Sequence, residues 1–299
     1  MYLGVDIGGT DIKFGVVNAE GRIVARAAVP TPKTSAEAVA DAVAAGVKQL
    51  SAAFPAETVG VGTPGIVTPD GRVSAANLPF ADTPLADLIA ARIGRTAVLG
   101  NDANCAALGE AAAGGEDDLL LVTLGTGVGG GIVTGGKPVV GAHGGAGEIG
   151  HMCIRVGGRA CPCGKRGCFE QYASASALTA AAKAAAAAHP DSLLAAYAKD
   201  GMDGKVFFRA VADGCPTAAA VLDAYLTDLA AGLESLQSIF DPAVIVLAGG
   251  ITEAGDALLA PLMQKLGADF PLKLSSLRSD AGVIGAAALG REEAARHAD

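Results

Sequence analysis

Two glycine-rich segments of similar form restrict the fold of this chain more than any other feature. They are DIGGTDIKFGVV at positions 6–17 and LGTGVGGGIV at positions 124–133. Each segment has an apolar run, then a turn of small and hydroxyl residues, then a second apolar run. This is the pattern of two strands joined by a turn. Glycines let the backbone approach an anion closely, and threonine hydroxyls donate to phosphate oxygens. One such loop is most often only a turn, whereas two favour a duplicated fold whose halves bind one nucleotide phosphate chain. Neither is a Walker A loop, because no GK[ST] follows.

Apolar periodicity predicts an alternation of strands and helices along the chain. The predicted strands are two within Tyr2–Val17, then Val24–Val29, Val59–Val61, Ala97–Leu99, Leu119–Thr123, Gly130–Val133 and Ala243–Leu247. The predicted helices are Thr34–Phe54, Leu85–Ile93, Asn101–Ala113, Ser174–Ala188, Thr217–Phe240 and a last one from Gly282 onward. The length of 299 residues predicts about two domains, at roughly 150 residues per domain.

The charge balance excludes several classes of partner. Lys and Arg number 22 against 31 Asp and Glu, for a net charge of −9, and there is no Trp. Binding to nucleic acid or to an anionic membrane relies on clustered positive charge, and stacking of bases relies on aromatic side chains. We therefore expect no nucleic-acid and no membrane partner. No basic segment precedes an apolar run at the start of the chain, so we expect a cytoplasmic protein without a secretory signal.

One histidine and three cysteines form the strongest local signal. His151, Cys161, Cys163 and Cys168 have the spacing H-x9-C-x-C-x4-C. One imidazole and three thiolates suit tetrahedral zinc, and four protein ligands leave no position open for a water nucleophile, so the metal would be structural. Clustered cysteines in a cytoplasmic chain favour metal over disulfides, although free or paired thiols stay an alternative.

The order of the motifs then identifies a family. DIGGTDIK, GVGTPG, NDANCAALGE, LGTGVGGG, GEIGH, CPCGKRGCFEQYAS and LAGGI resemble, in the expected order, the motifs of the ROK family of sugar kinases, and most of all its bacterial glucokinases. The resemblance implies an α/β, two-domain actin-like ATPase fold of the sugar kinase, Hsp70 and actin superfamily, with a central cleft for ATP and sugar. We expect a smaller N-terminal α/β domain at 1–113, joined by a C-terminal helix at about 283–299. A larger C-terminal α/β domain with the zinc-binding loop would cover 114–282.

Asp102, in GNDAN, corresponds to the catalytic residue of that family. A carboxylate there would accept the proton of the attacking sugar hydroxyl and hold that oxygen in line with the γ-phosphorus. From the residues alone, a helix N-cap is the favoured alternative. The resemblance instead favours the catalytic role of Asp102 over the N-cap. It also implies that the neighbouring Asn101 is a ligand of a sugar hydroxyl.

The resemblance also assigns nucleotide-binding residues. Asp6 would orient Mg²⁺ through water, with a strand-end carboxylate of no metal role as the alternative. Position 11 is Asp where many relatives carry Lys, which puts a direct cation contact with phosphate from that position in doubt. Lys13 is included among the nucleotide-binding residues, but it is not assumed to replace that cation. The remaining predicted contacts with phosphate or adenosine are Gly8, Gly9, Thr10, Thr126, Gly127, Gly129, Gly249 and Gly250.

Sugar contacts are implied at both sides of the cysteine cluster and in the N-terminal half. Glu148, His151 and Glu170 would bind sugar hydroxyls, His151 using one ring nitrogen for zinc and the other for the sugar. The alternative is that the two carboxylates only orient the zinc ligands. Gly65 and Asn77 would be further sugar contacts.

The resemblance implies ATP-dependent phosphorylation of a hexose at the 6-hydroxyl, with D-glucose as the expected substrate and Mg²⁺ accompanying ATP. Kinases of N-acetylmannosamine, N-acetylglucosamine, fructose or allose in the same family are the alternative. An alternative of another class is a non-catalytic sugar-sensing protein, which the intact Asp102 and the acidic net charge disfavour. A homodimer is expected.

Overall fold

A computed structural model describes residues 1–56, 58–75 and 77–298. Its strands are β1 (Tyr2–Ile7), β2 (Asp11–Val17), β3 (Ile23–Pro30), β4 (Thr58–Thr63), β5 (Ile66–Val67), β6 (Val73–Ala75), β7 (Phe80–Thr83), β8 (Thr96–Asn101), β9 (Leu119–Leu124), β10 (Val128–Thr134), β11 (Lys137–Pro138), β12 (Val244–Ala248) and β13 (Leu272–Leu274). Its helices are α1 (Ala36–Ser51), α2 (Leu85–Ile93), α3 (Asp102–Gly114), α4 (Glu170–Ala173), α5 (Ala175–Ala188), α6 (Leu193–Tyr197), α7 (Gly204–Ala212), α8 (Pro216–Phe240), α9 (Asp256–Leu266) and α10 (Ala281–Ala298).

The strands form two five-stranded sheets with the same order of connection. The first sheet has the order β3-β2-β1-β4-β8, and the second has the order β11-β10-β9-β12-β13. In the first sheet β1 is antiparallel to β2 and parallel to β4, which is in turn parallel to β8. The strands β5, β6 and β7 make a separate small sheet. As predicted, each glycine-rich segment forms a strand pair. The first contributes to β1 and β2, and the second contributes to β9 and β10.

The predicted α/β alternation is confirmed, with the larger differences in short elements. The helix Leu85–Ile93 is found at the predicted bounds, and the long helix after Cys215 begins one residue earlier, at Pro216. The small sheet, the strands β11 and β13 and the helices α4, α6, α7 and α9 were not predicted. The strands, α4 and α6 are too short to show a period of two or of 3.6 residues. Helices α7 and α9, with 9 and 11 residues, are not too short and were missed, and α9 contains Pro261, a residue that disfavours a helix interior.

Glycines allow α10 to pack directly on the backbone of its neighbours. A Cβ added at Gly60 on β4 would lie 1.7 Å from the carbonyl oxygen of Ala286, and one at Gly4 on β1 would lie 2.1 Å from that of Val283. On the other side, a Cβ at Gly285 would lie 1.5 Å from the carbonyl oxygen of Cys105 on α3. Any side chain at these positions would therefore force the helix away from β1, β4 or α3.

The chain divides into two compact units, each of which contains more than one segment of the sequence. The first unit contains residues 1–121, 131–147 and 276–299, and the second contains 122–130 and 148–275. The C-terminal helix thus belongs to the same unit as the N-terminal sheet. The domain boundaries near positions 113 and 282 stay a prediction.

No helix among the described residues is both long enough and apolar enough to span a bilayer.

Candidate active site

The turn of the first glycine-rich hairpin is held by a short following segment. The amide of Gly8 donates to the carbonyl of Asp11 at 2.9 Å and closes the turn. Thr31, just after β3, donates from its amide to the carbonyl of Thr10 and from its hydroxyl to the carbonyl of Gly8, both at 2.8 Å. The residues predicted to line phosphate, Gly8, Gly9 and Thr10, therefore form one fixed loop.

Asp6 and Asp102 lie at the same edge of the first sheet. Asp6 is near the end of β1, and Asp102 directly follows β8, which is connected to β1 through β4 in parallel register. Ligands of open α/β sheets bind at this carboxyl edge. Burial raises the pKa of Asp6 to about 6, the Asp102 carboxylate adds to that rise, and Lys13 opposes it. Lys13, which pairs with Asp6 in the register of β1 and β2, is thus close enough to act on Asp6.

The cap of α3 is Asn101 and not Asp102. The Asn101 side-chain oxygen accepts from the amide of Ala103 at 2.9 Å and from that of Asn104 at 3.2 Å. Asp102 is the first residue of the helix, where its carboxylate also accepts from the Ala103 amide at 2.9 Å. The favoured alternative from the residues alone, in which Asp102 is the N-cap, is therefore wrong. The helix N-terminus favours a negative charge at this position.

Two further predicted sugar contacts lie in the same unit. The Asn101 side-chain amide donates to the carbonyl of Gly65 at 3.0 Å. Gly65 has φ +96°, and a Cβ there would lie 2.3 Å from the carbonyl oxygen of Ser74, so the backbone itself requires glycine. Asn77 is exposed, and its amide nitrogen lies 4.0 Å from the position that a Cβ on Gly9 would take. Asn77 thus lies beside the first glycine-rich loop.

The second glycine-rich loop is joined to the start of α5. The amide of Gly125 donates to the carbonyl of Gly127 at 3.0 Å, and the carbonyl of Gly125 accepts from the amide of Ala175 at 2.9 Å. Ser174 caps α5 by accepting from the amide of Ala177. A helix N-terminus beside a glycine-rich loop is a site for anions. The loop and a helix from Ser174 were both predicted from the sequence, but the contact between them was not.

A cavity of about 980 Å³ opens beside this loop. Its lining includes the predicted residues Thr126 and Gly250, and also Ser176, Lys205 and Phe208, which the sequence analysis missed. Gly249, with φ +103°, places its Cα against the end of β9, since a Cβ there would lie 2.3 Å from the carbonyl oxygen of Leu124. The cavity is large enough for a nucleoside. Gly129 lies in β10, outside the lining.

The four predicted zinc ligands come together in the second unit. One ligand atom from each of His151, Cys161, Cys163 and Cys168 lies within 4.8 Å of all the others. The Sγ atoms of Cys163 and Cys168 are 3.6 Å apart, and Sγ of Cys161 is 3.7 Å from Nδ1 of His151. Ligands of tetrahedral zinc, at bond lengths of about 2.3 Å for sulfur and 2.0 Å for nitrogen, are separated by about 3.5–3.8 Å. The donor set and its spacing therefore fit zinc.

The three thiols of the cluster differ in the direction in which their pKa values are shifted. Burial raises the pKa of Cys161 to about 12 and also raises that of Cys168. The backbone amide of Lys165 lowers the pKa of Cys163. Without a cation the two buried thiols would stay protonated at neutral pH, whereas a bound metal would take them as thiolates.

The two glutamates beside the cluster differ in their surroundings. Oε1 of Glu170 accepts from Sγ of Cys161 at 3.0 Å and lies 3.8 Å from Nδ1 of His151. A Cβ on Gly127 would lie 2.7 Å from Oε2 of Glu170, so this carboxylate joins the cysteine cluster to the second loop. Glu148 is exposed, and its Oε2 lies 4.0 Å from Nε2 of His151. The imidazole thus turns one nitrogen to the thiols and the other to Glu148.

Comparison with known proteins places the chain in a family. The model of the ROK family matches residues 2–293. The chain is 38% identical over 315 aligned positions to a glucokinase of Streptomyces coelicolor, with 98% of each covered. It is 36% identical to an N-acetyl-D-glucosamine kinase of Salmonella paratyphi B, with 84% of each covered. The crystal structure of a ROK family glucokinase from Streptomyces griseus, in complex with glucose and AMPPNP, matches with a TM-score of 0.81 at 38% identity, covering 97% of this chain and 99% of that one.

The chain therefore belongs to the ROK family. The fold class predicted from the motifs, the two-domain actin-like ATPase fold, is confirmed by the Streptomyces griseus structure and by that of a ROK hexokinase from Thermus thermophilus, which matches with a TM-score of 0.81 at 35% identity and covers 99% of each chain.

We predict that Asp6 titrates with a midpoint near pH 6 in the absence of magnesium and nucleotide. The folded pKa exceeds the ordinary value of 3.8, so the folded state loses stability as the pH rises through 6, and Asp6→Asn removes that loss. The ¹³Cγ resonance that is missing from the Asp6→Asn spectrum reports the titration directly. A midpoint near 4 for that resonance would show that burial does not control this carboxylate.

Proposed function

We propose that this protein transfers the γ-phosphoryl group of ATP to the 6-hydroxyl of a hexose, and that its substrate is D-glucose. The observation that carries the proposal is the placement of Asp102 at the first turn of α3, with the cap supplied by Asn101. A carboxylate in this position is oriented by the helix and does not have to serve as its cap. The glucokinase of Streptomyces coelicolor and the glucose complex from Streptomyces griseus support the choice of sugar.

Asp102 is the proposed general base. It accepts the proton of the 6-hydroxyl as that oxygen attacks the γ-phosphorus, and it holds the oxygen in line with the bond that breaks. Asp6, its neighbour at the same sheet edge, is the proposed residue that holds Mg²⁺ through water. Mg²⁺ with ATP neutralises charge that develops on the phosphate oxygens.

The proposed phosphate contacts come from the two glycine-rich loops. Gly8, Gly9 and Thr10 present backbone and hydroxyl donors in the first loop. Thr126 and Gly127 do so in the second loop and Gly129 at the start of β10, where the start of α5 adds the positive end of a helix dipole. The cavity that Gly250 lines, beside Gly249, is the proposed place for adenosine.

Recognition of the sugar is proposed for side chains that offer several acceptors. A hexose presents many hydroxyl donors, and a buried group left unpaired by the wrong epimer costs free energy. Glu148, His151 and Glu170 are the proposed contacts in one unit. Gly65, Asn77 and Asn101 are those in the other. Phosphorylation of N-acetyl-D-glucosamine is the second candidate, because the kinase of that sugar from Salmonella paratyphi B is 36% identical to this chain.

A structural zinc ion is proposed for His151, Cys161, Cys163 and Cys168. The four ligands would close the coordination shell, so the ion would stabilise the loop and leave no position for a reacting water. The homodimer and the cytoplasmic location stay predictions.

Asp102→Asn should lower kcat for glucose by at least about 100-fold, because the amide cannot accept the proton. Glucose affinity, measured by calorimetry, should change by less than about threefold, since the amide keeps the size and most hydrogen bonds of the side chain. Asp191→Asn, at an exposed position outside the site, is the matched control. Turnover near that of the control would remove Asp102 from the mechanism.

Protein purified without chelator should contain about one zinc ion per chain by mass spectrometry. Cys163→Ser should reduce the content below about half, because three ligands hold zinc more weakly than four. Cys153→Ser, which removes an exposed thiol outside the ligand set, should keep the full content. A content below about half an equivalent in the unmodified chain would contradict the proposed ion.

A further inference from the structure

A lysine outside the first hairpin contacts the first glycine-rich loop. Nζ of Lys33 donates to the carbonyl of Gly9, at the tip of the turn between β1 and β2. Two residues earlier, Thr31 makes both of its hydrogen bonds to the same loop. The segment 31–33 is therefore docked on the loop, and Lys33 is placed there by more than its own flexible side chain.

The loop itself provides no cation for a phosphate. Its residues 8–12 include no Lys or Arg, and they include the acidic Asp11. Lys13 lies opposite Asp6 in the strand register, and its charge lowers the pKa values of both Asp6 and Asp280. The positive charge of Lys13 therefore interacts with two carboxylates of the protein.

Lys33 differs from Lys13 in how its ammonium group interacts with the rest of the protein. An ammonium group has three donors, and the carbonyl of Gly9 accepts one of them. The group is exposed, and among the described residues no carboxylate is paired with it. Two donors and a full positive charge therefore face solvent at the tip of a loop that offers backbone amides.

We propose that Lys33 binds the phosphate chain of the nucleotide and supplies the cation that the first glycine-rich loop lacks. This proposal rests on the proposed function, since it names a residue for the ATP of that reaction. Lys33 discriminates nucleotides by charge: it strengthens binding of a nucleoside triphosphate and leaves binding of the nucleoside unaffected.

Position 11 offers a way to test the charge by moving it. Asp11 pairs with Pro30 in the register of β2 and β3, so position 11 lies beside the segment that leads to Lys33. An ammonium introduced by Asp11→Lys would approach the same loop from the neighbouring strand. It should therefore compensate for a charge lost at position 33.

The test is calorimetric binding of a non-hydrolysable ATP analogue and of adenosine. Lys33→Gln should weaken the analogue about tenfold or more, because a charge-assisted contact is lost, and should leave adenosine within about twofold. Glutamine still has a donor for the Gly9 carbonyl, so a purely structural role of that hydrogen bond would predict little change. Lys33→Arg should keep most of the analogue affinity, and Lys33→Gln combined with Asp11→Lys should recover at least about half of the loss.

Lys48→Gln, at an exposed position on α1, is the control for removing one positive charge from the surface. Equal losses for the analogue and adenosine, a loss no larger than that of Lys48→Gln, or no recovery in the double variant would overturn the proposal. These readouts need no turnover. A chain that binds the analogue through Lys33 but phosphorylates no hexose would contradict the proposed function and leave the role of Lys33 standing.

Discussion

The close packing of α10 against β1, β4 and α3 is the constraint on which the first unit depends. Glycines on both sides bring backbone to within contact of backbone, and a single Cβ at Gly60 or Gly285 would lie under 2 Å from a carbonyl oxygen. Protein interiors tolerate little added volume, because the surrounding structure relaxes only in part. The C-terminal helix therefore belongs to the architecture of the N-terminal sheet, although more than 150 residues of chain separate them.

The same packing sets the electrostatics of the candidate site. Gly282, at the start of α10, lies against Asp6, where a Cβ would be 2.9 Å from a carboxylate oxygen. The helix thus removes water from Asp6, and burial is the largest cause of its raised pKa. On the other side of α10, α3 carries Asp102 in its first turn. The distance between the two carboxylates at the sheet edge therefore depends on how closely α10 can approach through Gly282 and Gly285.

Periodicity and local spacing were enough to predict the parts of this structure that depend on neighbours in sequence. The helix at Leu85–Ile93, the duplicated hairpins and the geometry of His151 with its cysteines follow from short patterns. The contacts of Lys33 with Gly9, of α5 with the second loop and of Gly282 with Asp6 join residues far apart in sequence, so no local pattern reports them. The cap of α3 shows a different limit, since Asn101 and Asp102 are both good capping residues and only the backbone geometry decides between them.

Formation of ADP from ATP in the presence of Mg²⁺, measured by a coupled assay with a panel of sugars, tests whether this chain phosphorylates glucose. The panel contains glucose, mannose, fructose, allose, N-acetylglucosamine and N-acetylmannosamine. We predict the highest kcat/KM for glucose. A higher value for an N-acetylated sugar would contradict the proposed substrate and keep the reaction, whereas no reaction with any sugar would contradict the kinase function and favour a sugar-sensing protein.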